Sequence, residues 1–194
     1  MSNPEVDIIV PNFNKGNFLD ECIGSVLKQS YTNWKLYVID DCSNDNSLEV
    51  LNKYKDEKIN IIILKKNKGP SFCRNLGIRI SKSEYIAFLD SDDYWSKDKL
   101  ENQIKFMLKN NFEFTYTDYI SFFVKNKSHI SKKTKLKESF NFKEFTRNSS
   151  INSSTMILTR KIINTHKFKK VKLLEDYLFK CDILKKKQYS HKTQ

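Results

Sequence analysis

The chain has 194 residues and a mass of 23.0 kDa, with 39% hydrophobic and 13% aromatic residues. This length suits one domain with a sizeable core, and the composition is globular rather than disordered. No apolar run approaches the roughly 18 residues of a membrane-spanning helix, and residues 1–7 lack the basic start and apolar centre of a secretory signal, so a cytoplasmic protein is expected. The net charge of +12 is unevenly spread: through Tyr119 there are 16 basic and 18 acidic residues, and from Ile120 onward 19 and 5. The basic second part carries Lys132-Lys133, Lys169-Lys170 and Lys185-Lys186-Lys187. Such a surface suits anionic lipid headgroups or phosphate-bearing substrates, the bland alternative being a solvated lysine-rich face. Nucleic acid is not expected, because the basic residues lack aromatic interleaving or a recognised module. Cys22, Cys42, Cys73 and Cys181 are too scattered for a zinc site or a disulfide framework and read as reduced, structural thiols.

In chain order, residues 6–10 are β-branched and predict a strand, which Pro11 is expected to stop. From Asn17, Phe18, Leu19, Cys22, Ile23, Val26 and Leu27 recur at helical spacing. A second strand over 34–39 ends in Asp40-Asp41-Cys42-Ser43, and a second helix follows with Asp45 or Asn46 as its expected cap. Residues 58–64 predict a third strand, and Gly69-Pro70 opens a third helix, proline suiting its first position. The short apolar run 84–89 predicts a buried fourth strand that leads into Asp90-Ser91-Asp92-Asp93. Beyond it come an amphipathic helix with Leu100, Ile104, Met107 and Leu108, and a strand over 112–119. A polar loop follows over 121–137, then a short segment around Phe140, Phe142 and Phe145, a strand over 154–159 and a brief helix over 161–166. A last helix begins near Leu173-Leu174-Glu175-Asp176. No repeat or linker divides the chain.

Strands alternating with helices predict right-handed βαβ units and a mainly parallel sheet, which binds ligands beyond the carboxyl ends of its strands. Asn12-Phe13-Asn14, Asp40-Asp41 and Asp90-Ser91-Asp92-Asp93 all fall there. Three carboxylates within four positions repel one another unless a cation sits between them, and hard divalent ions favour such oxygens. A solvated turn with a helix cap is the ordinary alternative. His129, His166 and His191 have no partner pattern and read as surface residues.

Five motifs in order resemble the family 2 glycosyltransferases of the GT-A fold. They are Val6-Asp7-Ile8-Ile9-Val10-Pro11-Asn12-Phe13-Asn14, Val38-Ile39-Asp40-Asp41-Cys42-Ser43-Asn44-Asp45, Gly69-Pro70-Ser71-Phe72-Cys73-Arg74-Asn75-Leu76-Gly77, Phe88-Leu89-Asp90-Ser91-Asp92-Asp93 and Leu174-Glu175-Asp176. The resemblance implies a mixed, mainly parallel α/β sheet flanked by helices in one domain, with a nucleotide-sugar-binding half over 1–100 and a basic acceptor-side half over 101–194. It implies inverting transfer from a nucleotide-sugar, expected to be a UDP-sugar, to an acceptor hydroxyl in bacterial cell-surface glycan synthesis. A glycan or lipid-linked acceptor is expected, with the basic half at the inner face of the membrane. A catalytically silent nucleotide-sugar-binding subunit is the alternative. By the same resemblance Mn(II) or Mg(II) is held by Asp92 with Asp90, and the donor is bound by Pro11, Phe13, Asp41, Arg74, Asp90 and Ser91. Phe13 stands where the family usually stacks a tyrosine on the base. Cys42 replaces a usual glycine, so the turn is expected to need no positive φ. Asp176 is the expected base, with Glu175 its less favoured neighbour.

Overall fold

The computed structural model describes residues 3–125, 128–148, 150–186 and 190–193, with the side chains of 124–129 outside the description. The strands are β1 (Val6–Asn12), β2 (Trp34–Asp40), β3 (Ile59–Ile63), β4 (Tyr85–Phe88), β5 (Phe114–Tyr116), β6 (Tyr119–Lys125), β7 (Ser128–Thr134), β8 (Ser139–Phe140), β9 (Ile157–Thr159) and β10 (Ser190–Lys192). The helices are α1 (Gly16–Leu27), α2 (Ser47–Leu51), α3 (Pro70–Ile80), α4 (Lys99–Asn110), α5 (Phe142–Arg147), α6 (Arg160–Ile163) and α7 (Glu175–Lys186), with a 3-10 turn over Ser153–Thr155.

Eight strands form one sheet in the order β3-β2-β1-β4-β9-β5-β10-β8. The first four are mutually parallel, while β9 runs antiparallel between β4 and β5. This is the mixed, mainly parallel sheet that the motif order predicts. Its central strands β1, β2 and β4 are largely apolar because both their faces are covered. Ile8, Val10, Leu36 and Val38 pack on one side with residues of α1 and α4, including Leu19, Ile23 and Leu100. Ile9, Ile39, Ile86 and Phe88 pack on the other with Cys73 of α3 and Phe179 of α7. The period of two along each strand sorts residues between these layers.

Several expectations are corrected. β1 runs through Pro11 to Asn12, paired with β2 to its end, whereas pairing with β4 stops at Ile9. The Asn12 carbonyl accepts from Asp41 N–H on the β2 side, so backbone alternation puts the ring nitrogen of Pro11 on the β4 side, where no ladder needs its missing N–H. Residues 121–137, expected as a loop, contain most of an antiparallel hairpin, β6–β7, pairing Phe122 with Ser131 and Phe123 with Ile130. Its signal is weak because neither face is fully buried: Ile120, Phe122 and Phe123 remain exposed. His166 is buried, its Nδ1 within 2.9 Å of the Ile162 carbonyl and the Thr165 hydroxyl. His191 lies partly buried in β10, stacked on Phe112 at 3.6 Å. The His129 side chain lies outside the description. No helix among the described residues is long and apolar enough to cross a membrane.

Candidate functional site

The parallel strands β1, β2 and β4 deliver their carboxyl ends to one rim, and the polar motifs follow directly. Asp40 is fully buried and takes the Asn12 amide at 2.7 Å, the Ser43 N–H at 2.9 Å and the Ser43 hydroxyl at 2.7 Å. It ties the exits of β1 and β2 together. Asp41 is 2% exposed and receives Lys68 N–H and Gly69 N–H, one on each oxygen, both at 2.7 Å. That holds the turn entering α3 against the β2 exit. Cys42 has φ 64°, so the turn does need the left-handed region, contrary to the expectation drawn from its lack of glycine. Pro11 is partly buried, and Phe13 is 46% exposed at the same rim. Asn46 at the cap position of α2 makes no side-chain cap bond; Asp45 before it ties α2 to α1, its Oδ1 accepting Ser47 N–H and its Oδ2 Gly16 N–H, each at 2.9 Å.

The acidic run leaves β4 as a tight turn, Asp93 N–H donating to the Asp90 carbonyl at 2.9 Å. Ser154 pins it from the 3-10 turn: its hydroxyl accepts Asp90 N–H at 3.0 Å and donates to Asp93 Oδ2 at 2.5 Å. Burial raises the Asp93 pKa, and the charges of Asp90 and Asp92 add to the rise. Ser91 is buried within the turn. Asp92 projects outward to an ion pair with Lys15 Nζ at 2.7 Å, both side chains 42% exposed.

Arg74 is not a surface helix residue. It is 5% exposed, and it bridges Asp90 Oδ1 at 2.7 Å through Nη2 and Glu175 Oε1 at 3.0 Å through Nη1. Its guanidinium lies 5.3 Å from the centre of the Phe168 ring. Asp176, next along α7, faces elsewhere. Its Oδ2 accepts from Lys180 Nζ at 2.7 Å and from the Ser153 hydroxyl at 3.3 Å. Burial works to raise the Asp176 pKa, but the charge and hydrogen bond of Lys180, with the Tyr177 N–H and the Arg74 charge, outweigh it and hold the carboxyl below its ordinary value. Lys180 is itself buried, and its second bond is to the Ile151 carbonyl at 2.6 Å.

Asp90 and Asp176 line one cavity of about 250 Å³ with Tyr119, Asn152, Ser153, Leu174 and Lys180. A larger cleft of about 460 Å³ shares Tyr119 and Asn152 with it and runs past Asp92 and Asp93 to Tyr94 and Phe122. Those two rings stack at 6.0 Å with 23° between their planes. The two spaces make one groove that leads from the acidic turn to an aromatic platform.

The glycosyl transferase family 2 profile matches residues 7–168, from β1 to the buried Phe168. This chain belongs to glycosyl transferase family 2. TuaG of Bacillus subtilis is 31% identical over 185 residues, which are 94% of this chain and 73% of that one. An Escherichia coli protein, UDP-Glc:alpha-D-GlcNAc-diphosphoundecaprenol beta-1,3-glucosyltransferase WfgD, is 37% identical over 180 residues, 93% of this chain and 70% of its own. Among solved structures, TarS 1-349 of S. aureus in complex with UDP-GlcNAc superposes with a TM-score of 0.75 at 21% identity, covering 98% of this chain and 59% of that one. The mannosyltransferase PcManGT from Pyrobaculum calidifontis, in complex with GDP-Man and Mn2+, gives 0.75 at 15% identity over 99% of this chain and 55% of its own. The fold is therefore that of the GT-A glycosyltransferases, and the chain spans under two thirds of the solved chains it resembles.

In this family 2 chain, no group of three or more His, Cys, Asp or Glu among the described residues is arranged to hold a metal ion unaided. The donor chemistry nonetheless fits Mn(II) or Mg(II). Asp92 already attracts a cation, the Lys15 ammonium, and Asp90 has engaged only Oδ1 in a side-chain bond. Mg(II) commonly takes one or two carboxylates and completes its shell with substrate phosphate and water. Sequence reasoning missed Lys15, Ser153, Ser154 and Lys180. Serines beside an Asn-rich stretch and a lysine amid lysines carry no local signal, and only packing selects them.

Proposed function

We propose that this chain transfers a sugar, with inversion, from a UDP-sugar to a hydroxyl of a lipid-linked glycan in bacterial cell-surface glycan synthesis. The observation that carries this reading is the shared cavity. Asp90, on the acidic turn, and Asp176, on α7, face one space at the carboxyl rim of the sheet. The names of WfgD and of the TarS complex with UDP-GlcNAc support the donor and acceptor classes.

In this reading residues 1–100 bind the donor and 101–194 the acceptor. Phe13 offers its exposed face to the base, an aromatic ring sufficing for stacking. Asp41 fixes the turn at Lys68 and Gly69 and directs its remaining lone pairs to the base imide. Pro11 and Ser91 shape the two strand exits that border the nucleotide. Arg74, clamped between Asp90 and Glu175, holds Asp90 toward the donor and contributes positive charge behind the diphosphate. Asp92 and Asp90 would hold Mn(II) or Mg(II), which supplies Lewis-acid neutralisation of the leaving diphosphate. Asp176 Oδ1 faces the acceptor, because Oδ2 is taken by Lys180 and Ser153. It accepts the hydroxyl proton as that oxygen bonds to the anomeric carbon, on the face opposite the breaking bond to phosphate. The nucleoside diphosphate leaves with the electron pair of that bond, and the proton passes from Asp176 to solvent. The acceptor's remaining sugars extend along the groove toward Tyr94 and Phe122, and the basic half faces an anionic membrane surface.

Isothermal titration of UDP with and without Mn(II) tests the donor site. Binding that tightens with the metal is expected, and binding that is absent or indifferent to the metal overturns the reading. For the base, Asp176→Asn should keep UDP affinity yet lose about 10²–10⁴-fold in transfer, the usual contribution of a general base. Transfer at the unaltered rate would remove Asp176 from that role.

A further inference from the structure

Leu173 and Leu174 are 75% and 65% exposed, adjacent in sequence, and exceed every other large apolar side chain among the described residues in exposure. Val171 beside them is also exposed. Lys167, Lys169, Lys170 and Lys172 are interleaved with them, all exposed, and residues 167–174 contain no acid. Three apolar tips among four ammonium groups are costly in water, and at a lipid surface they are complementary.

The loop is clamped at both ends, so this exposure is imposed by the fold. At its start Phe168 is buried against Phe179, ring centres 3.9 Å apart, and its backbone makes two bonds with the Asn75 amide at 2.8 and 3.0 Å. The Ser71 hydroxyl holds the Lys169 carbonyl at 2.9 Å. At its end Leu178 N–H bonds the Leu174 carbonyl at 3.0 Å, the first turn of α7. Leu174 has φ 65°, a conformation a bulky side chain adopts only when its surroundings fix it. Leu174 also lines the cavity that contains Asp90 and Asp176. The exposed tip is thus a wall of the site.

We propose that loop 169–174 inserts into an anionic bilayer, with Leu173 and Leu174 in the headgroup–acyl boundary and the lysines on lipid phosphates. This seats the cavity at the membrane surface, where a lipid-linked acceptor presents its sugar. The proposal rests on the reading of a membrane-anchored acceptor, yet its test is independent of catalysis.

The test is co-sedimentation of the full chain with vesicles of phosphatidylcholine, with and without phosphatidylglycerol. Binding to the anionic vesicles alone is expected, weakened by added salt. Val171→Asn/Leu173→Asn, both exposed and outside the cavity lining, should cut partitioning by about tenfold while UDP binding is unchanged. In Leu173→Trp, brominated acyl chains should quench the new indole, whereas the buried Trp34 and Trp95 of the parent remain unaffected. Equal binding to both vesicle types, asparagine variants that partition like the parent, or an unquenched Trp at 173 overturns the proposal. So does self-association that the same asparagine pair abolishes, since the tip would then be a contact between copies. Loss of UDP binding in the parent would sink the transfer reading and leave the vesicle result standing.

Discussion

At Asp176 opposing effects meet: burial, which favours the protonated acid, and the Lys180 ammonium 2.7 Å away, which together with the Tyr177 N–H and the Arg74 charge favours the carboxylate and prevails. A proton acceptor for an acceptor hydroxyl must be ionised at working pH, and Lys180 secures this in a half-buried setting. The same bond fixes which oxygen stays free. Because the folded-state value of Asp176 lies below the unfolded one, its contribution to stability is present above the ordinary aspartate range and is lost as pH falls through the folded value, whereas Lys180, its pKa lowered by burial, contributes with the opposite sign. Lys180→Met removes the strongest of the influences that oppose burial, leaving only the Tyr177 N–H and the Arg74 charge against it. The acid limb of the kcat/KM profile should then move up by about one unit or more, with Lys180→Arg restoring it, as a pH series of initial rates would read. A profile unmoved by Lys180→Met would mean that Lys180 only supports the Ile151 backbone.

Between elements, α3 packs closely on β1 through Gly77. A Cβ on Gly77 would stand 2.5 Å from Ile9 Cγ2, within the core beneath the β1 exit. Gly77→Ala adds helix propensity, yet the overlap should dominate, costing about 1–3 kcal/mol in urea unfolding. In an Ile9→Ala background the added cost of Gly77→Ala should shrink, since the clash is with the Ile9 side chain. A stabilised Gly77→Ala would show that α3 is free to shift. Because Arg74 lies one turn earlier on α3, the spacing that seats Gly77 also sets the reach of Arg74 to Asp90. The β6–β7 hairpin shows the opposite regime. It carries Phe122 to Tyr94 with little burial, so its sequence could not announce it: a strand with both faces partly wet keeps no clean period of two.

At the scale of the whole molecule, one sheet crosses from the acidic first part to the basic second part, because β9 inserts beside β4 and carries β5, β10 and β8 with it. Phe88 of β4 packs edge-on to both Phe168 and Phe179, so the second part completes the core of the first. The chain should therefore unfold as a single unit, with fluorescence and far-ultraviolet circular dichroism giving coincident urea transitions. Two separated transitions would divide it near residue 100. The sequence by itself determined the parallel half and its motif order, since burial on two faces and turns at strand ends are written within windows of about ten residues. It also determined that carboxylates gather at that rim, and that the later part is basic. Only the tertiary structure decided that Arg74 spans Asp90 and Glu175, the latter 101 residues away, that Cys42 needs a left-handed turn, and that Leu173 and Leu174 stand bare. A buried charge takes whichever partner the packing brings, and an apolar side chain is covered only where an element lies over it. Both depend on contacts across the chain that no local pattern encodes.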